Sequence, residues 1–202
     1  MYYNSQMQEI PKEEGAGEIQ KKPKMRGFLG ELVRFFLIVV FIIIPFRIFV
    51  AQPFIVEGAS MDPTFKNGQY LIVDQISYRF EEPERGSVLI FKYPRDPKQF
   101  FIKRVIGLPG ETVEIDDGKI TIFNTENPKG FSLDEPYLEF EKIDSSKITL
   151  KTDEYFVMGD NRAVSSDSRY WGPVPKDNII GRPFLRLLPL SKTGIFPGDY
   201  SK

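Results

Sequence analysis

The stretch Phe100-Phe101-Ile102-Lys103-Arg104-Val105-Ile106-Gly107-Leu108-Pro109-Gly110 sets the reading of everything around it. Phe100 to Ile106 is an apolar run of strand length, and Gly107-Leu-Pro-Gly110 stops it with turn residues. The same punctuation recurs outward on both sides. Gln69 to Ile76 and Ser87 to Tyr93 read as strands, separated by the charged, proline-containing stretch Phe80–Arg85. Downstream, Thr112-Val-Glu-Ile115 and Lys119 to Phe123 flank Asp116-Asp117-Gly118, a hairpin signal because glycine accepts the positive φ such turns require. Ile148 to Leu150, Glu154 to Met158 and Ile179 to Leu188 complete the pattern. Asn124 to Leu138, rich in Asn, Pro, Gly, Asp and Glu, reads as a surface insertion. No internal repeat is visible.

Composition narrows the chemistry. The 202 residues are 41% hydrophobic and 27% charged, so the chain can fold as one ordinary domain with appendages. A net charge of -1 supplies no overall basic field, and nucleic acid is not an expected partner. There is no cysteine, which removes disulfides, thiol nucleophiles and Cys zinc sites. There is no histidine either, which removes the commonest general base and the commonest metal ligand. No metal site and no cofactor are expected. Acid–base chemistry near neutrality must then use a carboxylate, a tyrosine or a lysine of lowered pKa.

The N-terminal part has a different character. Residues 1–24 are polar, and Lys21, Lys22, Lys24 and Arg26 form a basic cluster before an apolar run from Leu32 to Val50. Arg34, Pro45 and Arg47 interrupt that run, and Phe35 to Phe46 carries no charge. Its length suits a tilted transmembrane helix, with Arg34 and Arg47 able to snorkel to the headgroups. A buried core helix and a cleaved secretory signal are the competing readings. The latter lacks small residues at the positions a cleavage site needs. The basic flank predicts an N-terminus inside and the remainder outside. The expected organisation is a cytoplasmic tail at 1–27, a single transmembrane anchor at 28–50, and an extracytoplasmic domain at 51–202 with an insertion at about 119–150. The expected fold is mainly β: a compact antiparallel sheet or barrel-like domain behind one N-terminal transmembrane helix.

Three segments can carry chemistry. In Val56-Glu-Gly58-Ala-Ser60-Met61-Asp-Pro-Thr64, a serine follows a tight Gly-Ala turn. Alone, such a serine usually bonds its own backbone. Lys103 shares a strand face with Phe101 and Val105, the face expected to be buried. It either reaches solvent from an edge strand or is dehydrated. A free lysine titrates near ~10.4, and desolvation by ~3–5 units makes it a usable base. The third segment, Met158-Gly-Asp160-Asn-Arg-Ala-Val-Ser165-Ser-Asp167-Ser-Arg169-Tyr-Trp-Gly-Pro-Val174, is a dense polar loop holding the only tryptophan.

Taken in order, Ser60-Met-Asp-Pro-Thr, Lys103-Arg-Val-Ile-Gly-Leu-Pro-Gly110 and Gly159-Asp-Asn-Arg-x-x-Ser165-x-Asp167-Ser-Arg169 resemble the motifs of bacterial type I signal peptidases. Gly68 through Tyr93 resembles the motif between them. The similarity spans about residues 32–188 and fits the lysine-using branch of the family. It implies a membrane-bound serine endopeptidase that removes signal peptides from exported preproteins. Ser60 would be the nucleophile and Lys103 the general base, with Ser165 hydrogen-bonding and aiming the lysine amine. Asp167 paired with Arg169, and Asp160 paired with Arg104, would brace the site. Gly58 stands where some members carry a serine that assists the oxyanion hole. The backbone N–H of Ser60, with a glycine N–H or water, would carry that task here. The resemblance also implies substrates with Ala-x-Ala before the cut, in pockets walled by Val56, Met61, Phe65, Phe101 and Ile102. Phe46, Phe49 and Phe54 would meet the lipid bilayer. Oligomeric state is not legible.

Two other readings use the same residues. A self-cleaving repressor-type peptidase shares serine–lysine chemistry but would carry a DNA-binding or cytosolic arm in place of residues 32–50. A non-catalytic anchored scaffold would keep the fold without needing Ser60 or Lys103.

Overall fold

The computed structural model describes residues 25–44, 51–139 and 142–200. The long strand β4 (Asp96–Gly107) organises it. Its neighbours are β3 (Val88–Tyr93), in antiparallel register Leu89↔Lys103, and β9 (Glu154–Met158), in register Arg104↔Met158. The sheet extends through β11 (Ile179–Leu188), β2 (Tyr70–Asp74) and β1 (Ala51–Ile55) on one side, and through β10 (Val174–Pro175) on the other. A short β12 (Gly194–Ile195) pairs with β11 outside this order. The order ends at β1 and β10, so the sheet is open and not a closed barrel.

The β5–β6 hairpin (Thr112–Asp116, Lys119–Phe123) forms as the Asp-Asp-Gly turn predicts, with Gly118 at φ +79. With β7 (Phe131–Ser132) and β8 (Ser146–Thr149) it makes a second sheet in the order β7-β6-β5-β8. The predicted surface insertion is therefore partly a sheet that shares a core with β4 and β9. Val113, Ile115, Ile120 and Ile122 pack against Ile106, Phe156 and Met158. On the far side of β4, Val105 joins Leu89, Phe91, Val157 and Trp171. Consecutive residues of β4 thus enter different cores. This corrects the one-faced reading of the strand: alternation marks Lys103 and Val105 as buried, but Arg104 and Ile106 are buried as well.

At the N-terminal end, α1 (Met25–Ile38) continues into a π-helical turn, Val39–Ile43. Its apolar residues from Phe28 to Ile44 are exposed, Phe36, Phe41 and Ile42 among them, except Val39 and Val40, which are half-buried. Among the described residues no helix is long and apolar enough to cross a membrane; Glu31 and Arg34 fall within this one. Residues 45–50, the second part of the predicted anchor with Phe46, Arg47 and Phe49, lie outside the described residues. So does the polar tail 1–24.

Candidate active site

The loop between β1 and β2 holds Ser60. Its base is closed by Val56 N–H to the Gln69 carbonyl, 2.9 Å, and Gly68 N–H to the Val56 carbonyl, 2.8 Å. Met61 and Phe65 are its apolar anchors, buried against Leu71 and Val88. Gly58 turns the chain at φ +86, a conformation that glycine adopts without strain, and donates its N–H to Asn67 Oδ1 at 2.9 Å. Ser60 is left at the loop tip, half-buried.

Strand β4 brings Lys103 to it. Lys103 is 4% exposed, and its Nζ donates to Ser60 Oγ at 2.7 Å and to the Ile102 carbonyl at 3.0 Å. Burial drives its pKa down to about 8, against the opposing pull of Asp167 and then Asp160, which favour the charged form. Desolvation wins because neither carboxylate is a bare neighbour. Asp167 accepts from Arg169 Nε at 2.8 Å and Nη2 at 2.9 Å, and from Gly159 N–H at 3.1 Å. Asp160 accepts from Arg104 Nε at 2.8 Å and Nη2 at 2.6 Å, and both side chains are fully buried. The loop after β9 touches the serine loop directly, through Asn161 N–H to the Ser60 carbonyl at 3.1 Å.

The structure brings Ser60, Lys103, Asp160, Arg104, Asp167 and Arg169 into one continuous network. Ser165 lies beside it, buried, but its Oγ has no hydrogen-bond partner among the described residues. The predicted bond from Ser165 to the lysine amine is not formed; the amine donates to Ser60 and to the Ile102 carbonyl instead. An apolar cleft of about 840 Å³ opens at Ser60. Val56, Gly58, Phe101 and Ile102 line it. So do Phe54, Leu71, Ile90 and Val164, which the sequence reading did not assign to pockets. Met61 and Phe65 do not line it; they lie beneath, in the core.

Several contributors were missed. Thr64 donates Oγ1 to Asp160 Oδ2 at 2.5 Å, tying the serine loop to the ion pair. Arg162 donates Nε to the Gly159 carbonyl and pairs with Glu135. Arg169 also pairs with Asp144, 2.7 Å. Thr64 and Arg162 stood inside recognised motifs and were legible in principle. Glu135 and Asp144 lie in the insertion, where nothing local marks them.

A serine hydroxyl set against a dehydrated amine, at the mouth of an apolar cleft, is an arrangement with which a serine hydrolase can activate its nucleophile. A family model described as "Signal peptidase, peptidase S26" matches residues 29–188. The chain is 37% identical over 176 residues to the "Probable signal peptidase I-2" of Synechocystis sp., covering 84% of this chain and 78% of that one. It is 36% identical over 181 residues to the "Signal peptidase I" of Leptolyngbya laminosa, covering 86% of each. A crystal structure of a signal peptidase I from Enterococcus faecalis V583 matches with a TM-score of 0.44 and 34% identity, over 50% of this chain and 97% of that one. The chain belongs to the signal peptidase family, peptidase S26, and is a serine peptidase.

Proposed function

We propose that this chain removes N-terminal signal peptides from exported preproteins by serine–lysine catalysis. The observation that carries the reading is the 2.7 Å contact between Lys103 Nζ and Ser60 Oγ, with the amine buried. In the charged state Nζ donates to Oγ. Once neutral, the same nitrogen accepts the serine proton as Oγ attacks the scissile carbonyl, and then returns a proton to the leaving amine. The developing oxyanion meets the backbone N–H of Ser60. Gly58 cannot supply a side-chain donor, and its positive φ disfavours any replacement that would. This matches the lysine-using branch with glycine at that position.

The cleft supports a substrate with small apolar residues before the cut. It runs between Phe54–Ser60 and Gln99–Lys103, where β1 is the outer strand of its sheet. An extended peptide there can take up main-chain hydrogen bonds while alternate side chains enter the apolar wall. Val56, Phe101 and Ile102 limit the volume, so that Ala-x-Ala fits and larger residues clash.

The reading includes a single-pass anchor at 28–50, a cytoplasmic tail at 1–27 and an extracytoplasmic domain at 51–202, in the cytoplasmic membrane. It is supported by a helix that is apolar from Phe35 to Ile44 and exposed there except at Val39 and Val40, and by the basic residues that precede it. Phe54 and Phe100, in edge contact with ring centroids 5.5 Å apart, stand at the cleft and suit a site near the lipid surface.

The test is incubation of the detergent-solubilised full chain with a precursor whose signal ends in Ala-x-Ala. Cleavage should occur at that site and disappear with Ser60→Ala and with Lys103→Met. Cleavage that survives both substitutions contradicts the assignment.

A further inference from the structure

The segment after the family match runs back to the site. That match ends at residue 188, yet the chain continues through β12, which pairs with β11, and on to Tyr200. Phe196 N–H donates to the Phe184 carbonyl at 2.8 Å, and the two rings meet edge to face. Gly198 then passes so close to the serine loop that a Cβ on it would stand 2.5 Å from Thr64 Cγ2. Its carbonyl accepts from Arg104 Nη1 at 2.6 Å.

Tyr200 completes this strap. Its ring centroid is 4.9 Å from the Arg104 guanidinium carbon, and that of Tyr137, from the insertion, is 3.9 Å away. The two rings are 5.4 Å apart, too close to stand on opposite faces, so they form an aromatic corner over the cation. Arg104 is fully buried although Tyr200, whose ring lies against it, is half exposed. A guanidinium over aromatic faces is stabilised most when water is kept away.

We propose that Phe196–Tyr200 is a positioning strap for the peptidase site, acting through the Tyr200 ring and the Gly198 carbonyl on Arg104. The inference rests on the peptidase reading above. Arg104 grips Asp160, Asp160 holds Thr64 of the serine loop, and the next N–H, that of Asn161, holds the Ser60 carbonyl. Lys103 is the neighbour of Arg104 on β4. Water admitted at Tyr200 loosens the one arginine through which both halves of the Ser60–Lys103 pair are referenced.

Tyr200→Ala and Tyr200→Phe in the full, detergent-solubilised chain test this. Two readouts are taken: kcat and KM on an Ala-x-Ala precursor peptide, and solvent exchange of the Arg104 Nε–H by NMR. Tyr200→Ala should lower kcat about tenfold, leave KM within about twofold and speed the exchange. Tyr200→Phe, which keeps the ring, should restore both readouts. Unchanged kcat and exchange in Tyr200→Ala overturn the proposal. So does a loss that Tyr200→Phe fails to rescue, or one that only follows the unfolded fraction. If the wild-type chain does not cut the peptide, the substrate reading fails, and the exchange of Arg104 Nε–H alone decides the strap.

Discussion

Gly159 packs directly against the carbonyl of Ser60: a Cβ built on it would stand 2.3 Å from that oxygen and 2.3 Å from Ser165 Oγ. The close approach lets the Gly159 N–H reach Asp167 while Asn161 N–H reaches Ser60. Gly159→Ala must displace the Ser60 carbonyl or residue 159 itself, disturbing the seat of the serine loop on which the Lys103 contact depends. Misplacement by about an ångström costs on the order of 10²-fold in rate, so kcat should fall by about that factor. Steady-state kinetics on a precursor peptide check it; a loss below about threefold would mean that the loop yields at no catalytic expense.

The pH profile follows from Lys103. The neutral amine is the working form, so kcat/KM should rise with pH through a midpoint at about 8. Stability should move the same way. The folded pKa is lowered from 10.5 to about 8, so between those values the unfolded chain binds more protons than the folded one. The stabilisation present above 10.5 is lost as pH falls to about 8, and Lys103→Met should abolish that dependence. Thermal melts of the two proteins from neutral to alkaline pH test it, the gap favouring Lys103→Met near neutrality and closing as the pH rises.

Two substitutions should shift that profile in opposite directions. Asp167→Asn removes the largest charge that holds Lys103 protonated, so the rising limb moves to lower pH. Arg169→Met leaves Asp167 without its paired cation, and the limb moves higher. Profiles of kcat/KM against pH for the two variants provide the comparison; shifts of the same sign would contradict the charge argument.

Asp160→Asn should be costly to the fold. It strands the fully buried Arg104 cation, and breaking such a pair costs about 3–5 kcal/mol. Arg104→Met combined with Asp160→Asn should recover part of that loss. Denaturant unfolding of the single and double variants measures it, and additive losses would argue that the pair is not coupled.

Much of this was legible in the sequence, for identifiable reasons. The strands around Lys103 announce themselves by apolar runs ending in Gly and Pro, and Asp116-Asp117-Gly118 specifies its hairpin locally. The limits are equally physical. Alternation along Phe100–Ile106 assumes one buried face, whereas β4 is covered on both, because the insertion folds over it. Tyr137, Glu135 and Tyr200 carry no local signal, since their importance arises from which arginine they meet in space. A bond from Ser165 to the lysine amine depends on side-chain geometry that the sequence does not carry, and Ser165 Oγ has no partner among the described residues.

The most direct measurement is titration of the Lys103 amine itself, by NMR of lysine labelled at Cε in the full chain, with Lys103→Met identifying the signal. A midpoint at about 8 is expected. A midpoint at the ordinary lysine value, near ~10.4, would leave the Ser60 hydroxyl without a base at neutral pH and contradict the account.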